Sequence, residues 1–234
     1  MKKRKITFFV NLILIITVIS VYLIALIPEK IVPIYSDATL NAIYNGNKEN
    51  KNVSLMFNVY ENTEIVEKII DLLDSEGVKC TFFVGGCWAD DNQDALLKMK
   101  KSGHEIANHG YFHRDHSKLN YEKNEQEIFL TEKIVEVLSG EKTKLFAPPS
   151  GSFSNTTLEV AYDLGYKVIM WSKDTIDWRD KDSSLIFNRA TKNLSNGDLV
   201  LMHPKEHTLL ALFDILRYYK NNGFNVVTVS ENLL

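Results

Sequence analysis

The stretch NHGYFHRDHS, residues 108–117, sets His109, His113 and His116 within eight residues of a chain that has six histidines in all. Two imidazoles four positions apart can reach one metal ion if the backbone between them turns roughly as a helix does. The competing reading is a solvated loop or helix face that carries its histidines by chance. Other residues able to do chemistry are dispersed: Asn58 in MFNV, the run APPSG at 147–151, Asp174 and Asp177 in KDTIDW, and His203 in VLMHP. Whether they act together depends on the elements that carry them.

From Val53 onward, short apolar runs alternate with longer amphipathic ones. VSLMFNV reads as a buried strand. NTEIVEKIIDLLDSEG reads as a helix with Ile65, Ile69, Leu72 and Leu73 inward, Asn62 as its cap and Gly77 as its stop. KCTFFVG, HEIAN, KLFAP, YKVIMW, DLVLMHP and FNVVTVS continue the series, and each of the first five precedes a helical pattern. Seven strands alternating with helices predict a mostly parallel sheet or a barrel. Asn58, His109, the APPSG run, Asp174 with Asp177, and His203 all fall at or just beyond the C-terminal ends of these strands. Parallel α/β folds gather their functional residues on that rim, where the strand ends converge and the loops are free to vary.

With 234 residues, 45% of them hydrophobic, the chain suffices for one sizeable domain and an attachment segment. A net charge of -3 gives none of the basic footprint expected of a nucleic-acid binder. The basic residues 2–5 directly precede residues 6–27, which hold 22 uncharged positions, 16 of them Ile, Leu, Val or Phe. At about 1.5 Å per residue this run crosses a hydrocarbon core of roughly 30 Å, and its apolar content outweighs Thr7, Asn11, Thr17 and Ser20. A cleaved signal peptide has a shorter apolar region ending at small residues, whereas this one continues into IPEKIVPIY. The sequence therefore predicts a cytoplasmic tail at 1–5, a transmembrane anchor at 6–27, a linker at 28–52 and an extracytoplasmic domain at 53–234. Cys80 and Cys87, close together along one predicted strand, are expected to form no structural disulfide.

Together NHGYFH, FAPPSG, KDTIDW and VLMHP, in that order and at those strand ends, resemble the motifs of the polysaccharide deacetylases, the NodB-like family of carbohydrate esterases. The resemblance spans residues 53–229 and implies a distorted (β/α)7-type barrel. It also implies metal-dependent removal of acetyl groups from an N-acetylated glycan, peptidoglycan or chitin-like. The implied cofactor is a divalent metal, zinc first, with cobalt, manganese or nickel as alternatives. By the same resemblance His109 and His113 are the metal pair, and His203 is the general acid that protonates the leaving amine, with Asp177 as its carboxylate partner. Trp178 walls the sugar groove, Leu201 lines the acetyl pocket, and Ser150 supplies a backbone oxyanion donor although the family commonly has an aromatic there. His116 lies outside the pair and is expected either to support the metal ligands from behind or to be structural.

The first family motif, Thr-Phe-Asp-Asp, is here Met56-Phe57-Asn58-Val59, and Arg-Pro-Pro is Ala147-Pro148-Pro149. The catalytic base, one metal ligand and the arginine that orients the base are all replaced, which leaves Asn58 as a substrate contact. A sporulation-associated subgroup is similar in carrying Asn-Val at this point. Glu64, or secondarily Glu61, is the carboxylate left to complete a two-histidine, one-carboxylate site; the alternative for Glu64 is an acid that favours a helix N-terminus. The expectation is a metal-dependent N-deacetylase of cell-wall or spore-wall glycan. The alternative is an inactive deacetylase-fold protein that binds glycan at the membrane.

Overall fold

The structure is a computed structural model that describes residues 2–25 and 40–234. It has two units, residues 1–39 and 40–234. In the first, helix α1 (Lys2–Ala25) exposes every side chain from Asn11 to Ser20. Among the described residues no helix is long and apolar enough to cross a membrane. Positions 26–27 of the expected span and 28–39 of the expected linker lie outside the described residues, so the anchor is carried by the sequence alone.

The second unit runs β1 (Asn52–Val59), α2 (Thr63–Ser75), β2 (Thr81–Val84), α3 (Gly86–Asp91), α4 (Gln93–Lys101) and β3 (Glu105–Asn108). It continues with α5 (Tyr121–Ser139), β4 (Leu145–Phe146), α6 (Asn155–Asp163), β5 (Lys167–Val168), β6 (Lys173–Asp174) and α7 (Ser183–Thr191). The last elements are β7 (Asp198–Met202), α8 (Glu206–Asn221), β8 (Asn225–Val226) and α9 (Val229–Asn232). The strands form one parallel sheet in the order β5-β4-β3-β2-β1-β7-β6, with β8 also paired to β1. Seven strands lie where the sequence put them. The eighth, β6, is a two-residue strand that no apolar run announces.

A barrel is the expected architecture, and the sheet is one that stays open between β5 and β6. The gap is spanned by a segment the sequence assigned to the linker: Ile43 bridges to Ile169, and Asn45 to Asp198. Gly46 N–H donates to Gly197 O and Asn47 N–H to Asn232 O. The linker boundary at 52 is thus too late, because the compact unit begins at Leu40 and these residues satisfy backbone groups that an open sheet edge would leave bare.

Alternation along β1 explains how the sheet faces a helical layer on one side and a cavity on the other. Val53, Leu55, Phe57 and Val59 join the outer core with Val66, Ile69 and Leu73 of α2 and Leu212 and Ile215 of α8. Met56 faces inward among Phe83, Ala107, Leu145, Leu201 and Val229. Ser54, also on the inner face, donates to Thr228 O and accepts from Asn232 Nδ2, so α9 plugs the lower end. Asn58, two residues above Met56, is left at the open upper end.

Candidate functional site

The upper ends of β1, β3, β4, β6 and β7 converge on a cavity of about 270 Å³. Register sets the level: Asn58 pairs with Phe83, Val84 with Asn108, and Asn108 with Phe146, so the next residues of each strand emerge together. His109 follows β3 and is fully buried. Its Nδ1 lies 2.7 Å from Ala147 O; a carbonyl only accepts, so the proton sits on Nδ1 and the lone pair on Nε2. That Nε2 has no partner. Burial, then the neighbouring His113, holds the His109 imidazole well below the ordinary histidine range and so neutral.

His113 reaches the same cavity by a route the sequence did not foretell. The expected helical turn is absent; Gly110 and His113 instead adopt φ values of 74° and 55° in the left-handed region. The two imidazoles meet edge to face with centroids 5.1 Å apart, and Tyr60 packs on His113 at 4.1 Å. His116, outside the cavity, props the loop: its Nδ1 is 2.7 Å from Asn124 Oδ1 of α5 and its ring packs on Phe146. Glu127 of the same helix accepts from Phe112 N–H at 2.7 Å.

On the opposite wall, Asp177 is fully engaged. One oxygen accepts from His203 N–H and from Thr208 Oγ1, each at 2.7 Å, and the other faces His203 Nδ1 at 2.7 Å. Ile176, just before it, has φ 55°, a costly conformation for a β-branched residue. Asp174 Oδ1 accepts from Ile176 N–H at 2.7 Å, and Arg189 of α7 donates to Thr175 O at 2.9 Å, fixing that turn. Leu201 and Ser150 line the cavity, and Trp178, 54% exposed, walls it. Asn58, buried, presents an unpartnered Oδ1.

Sequence reasoning assigned no role to Tyr60, Trp171 or Asp174, all of which line the cavity. Tyr60 was discoverable as an aromatic just beyond a predicted strand, and Trp171 as the aromatic that ends the run YKVIMW. Asp174 had been noted on the rim, but its strand is too short to show a pattern.

Glu64 is not part of the site. Its exposed carboxylate pairs with Lys68 at 2.6 Å, and the Lys68 hydrogen bond holds it below the usual carboxylate range. It lines a separate hollow with Lys181 and Glu206. Glu61 is tied to Lys205. Val59, where the family's second aspartate would stand, is fully buried in the outer core. Among the described residues no three His, Cys, Asp or Glu side chains are grouped to hold an ion. Two imidazoles without a carboxylate fall short of the three-ligand set that the implied divalent metal, zinc or another, requires.

The comparisons agree with this architecture. Residues 45–169 match the family profile described as polysaccharide deacetylase. Protein YlxY of Bacillus subtilis is 36% identical over 189 residues, covering 81% of this chain, which spans 59% of YlxY's length. A peptidoglycan-N-acetylglucosamine deacetylase of Bacillus cereus is 32% identical over 189 residues, 78% of this chain and 88% of that protein. Among solved structures, a CE4 family pseudoenzyme from Bacillus anthracis is 31% identical with a TM-score of 0.81, covering 85% of this chain and 70% of that one. With the family profile matched over more than half its residues and its strand-end motifs gathered around one cavity, this chain belongs to the polysaccharide deacetylase family.

Proposed function

We propose that the chain binds an amino-sugar glycan of the peptidoglycan type in this cavity without hydrolysing its acetamides. One observation carries the reading: at the mouth of β1 the side chain offered to the cavity is the amide of Asn58, and among the described residues the cavity's carboxylate, Asp174, is not grouped with His109 and His113 as a set that could hold an ion. An amide takes no proton at neutral pH, so no group at this position activates water. Similarity to the Bacillus anthracis pseudoenzyme supports the same reading, and relatives named as peptidoglycan deacetylases support the glycan class. Trp178 and Trp171 provide the apolar faces on which a sugar ring stacks. Attachment by residues 6–27, with the folded unit outside the cytoplasm at the cell or spore wall, belongs to the same proposal and rests on the sequence.

A second reading, slow N-deacetylation, is favoured by the intact Asp177–His203 pair, which retains the geometry of a general acid. Mass spectrometry of N-acetylated peptidoglycan and chitin fragments incubated with the full chain, with and without added zinc, separates the two. We expect no loss of acetyl mass, with binding that survives His203→Ala. Acetyl loss that disappears in His203→Ala would replace the first reading by the second. Sedimentation of the full chain with membranes, and its release into the soluble fraction when residues 1–39 are deleted, is the expected result for the anchor.

A further inference from the structure

Three of the polar groups that line the cavity are acceptors: Asn58 Oδ1, His109 Nε2 and the Asp174 carboxylate. Asn58 Oδ1 and His109 Nε2 are buried and have no partner, and each lines the cavity. A buried acceptor left unpaired costs free energy that a bound donor restores. Asp174 adds a carboxylate on the third side: Ile176 N–H occupies one of its oxygens at 2.7 Å, and its charge is not met by a salt bridge among the described residues. No lysine or arginine lines the cavity. Of the nearby cations, Lys205 is paired with Glu61, Arg189 with Asp180, and Arg179, whose charge Asp174 also feels, with the same Asp180, while His203 is matched by Asp177. Tyr60, Trp171 and Trp178 also line it, Tyr60 packed on His113 and Trp178 with the Arg179 guanidinium 5.8 Å from its ring centre, which shows that this ring accepts positive charge.

An acetamide satisfies these three acceptors less fully: it brings one N–H donor, and its carbonyl must turn to donors elsewhere in the lining, such as Tyr60 or Ser150. A primary ammonium brings three donors, no acceptor, and a charge opposite to that of Asp174. The relatives' divalent ion has no place here, but an organic cation does.

We propose that the cavity is a recognition site for a protonated amino sugar, a de-N-acetylated unit within the glycan, held by Asn58, His109 and Asp174 against the aromatic walls. The inference rests on the glycan-binding reading above and narrows it: the chain reads the product of deacetylation. The class of reaction that supplies its ligand is hydrolytic N-deacetylation of the same polymer.

The test is calorimetric titration of the full chain in detergent with two β-1,4-linked N-acetylglucosamine tetrasaccharides, one fully acetylated and one carrying a single free amine. The expected result is a preference of at least about tenfold for the free amine, the scale of one charge-assisted hydrogen bond. Chemical re-acetylation of that ligand removes the preference. Asp174→Asn, which keeps the acceptor for Ile176 N–H, reduces it to near unity, and Asn58→Asp increases it. Equal affinities, or a preference for the acetylated ligand, overturn the inference while glycan binding stands. A preference that Asp174→Asn leaves intact overturns it as well. Binding of neither ligand removes both this inference and the reading beneath it.

Discussion

At the scale of single residues, the site is defined as much by what Val59 and Asp177 touch as by their identity. Val59 is fully buried in the apolar layer between β1 and α2, so Val59→Asp places a carboxylate where nothing pairs with it. Loss of about 3 to 5 kcal/mol is expected, a large share of the roughly 5 to 15 kcal/mol that holds a domain folded. Urea unfolding measures it; full recovery on adding zinc would show that the strand end turns the side chain to the imidazoles and would refute the placement. Asp177 differs because both its oxygens are in use. In Asp177→Asn the amide keeps one oxygen for His203 N–H and Thr208 and turns its NH2 toward His203 Nδ1, which must then accept. The expected outcome is a reversed His203 tautomer at a cost of about 1 to 2 kcal/mol, read by nitrogen NMR of the labelled imidazole. An unchanged tautomer would mean that Asp177 does not set it.

At the scale of elements, the turn from β6 to α7 is the part that holds the acid pair in place. Ile176 sits in the left-handed region, at a cost of roughly 1 to 2 kcal/mol for a side chain with a Cβ. Arg189 offsets this from α7 by binding Thr175 O at 2.9 Å and Asp180 Oδ2 at 2.6 Å. Arg189→Met should cost about 1 to 2 kcal/mol and raise amide exchange through residues 174–180 while leaving β1 protected. Uniform exchange across the sheet would instead indicate a global effect. None of this turn was legible beforehand. The strand of Lys173 and Asp174 has two residues, too few for alternation to register, and a positive φ at isoleucine has no sequence signal. By contrast β1, β2 and β7 were legible because strands buried on both faces read as unbroken apolar runs. Positions such as His109 and His203 followed from the ends of such runs. Glu64 misled because an acid in a helix's first turn looks the same whether it serves a metal or, as here, a lysine one turn on.

At the scale of the whole molecule, the stability of the fold is tied to two buried histidines, His104 packed on Phe82 of β2 and His116 on Phe146 of β4. His104 accepts from Cys80 N–H at Nδ1 and turns Nε2 toward Asp74 at 3.9 Å; His116 is wedged between Asn124 and Phe146. Burial pushes each imidazole down to about 4, against about 6.5 in an unfolded chain. Above about pH 6.5 both are neutral in either state and their contribution is complete. As the pH falls from about 6.5 to about 4 the unfolded chain takes up protons that the folded one refuses, so stability is lost through that window. Each group accounts for up to about 3 kcal/mol, enough together to bring a marginal domain close to unfolding at pH 4. Carboxylates such as Asp115 and Asp180, held far below their usual range by neighbouring cations and hydrogen bonds, add their losses only at still lower pH. Urea midpoints at pH 7.5, 5.5 and 4 should therefore fall steeply, and His104→Asn should start from a lower midpoint and fall less. If the variant loses stability as steeply as the parent, His104 is not among the groups that set the acid limit of the fold.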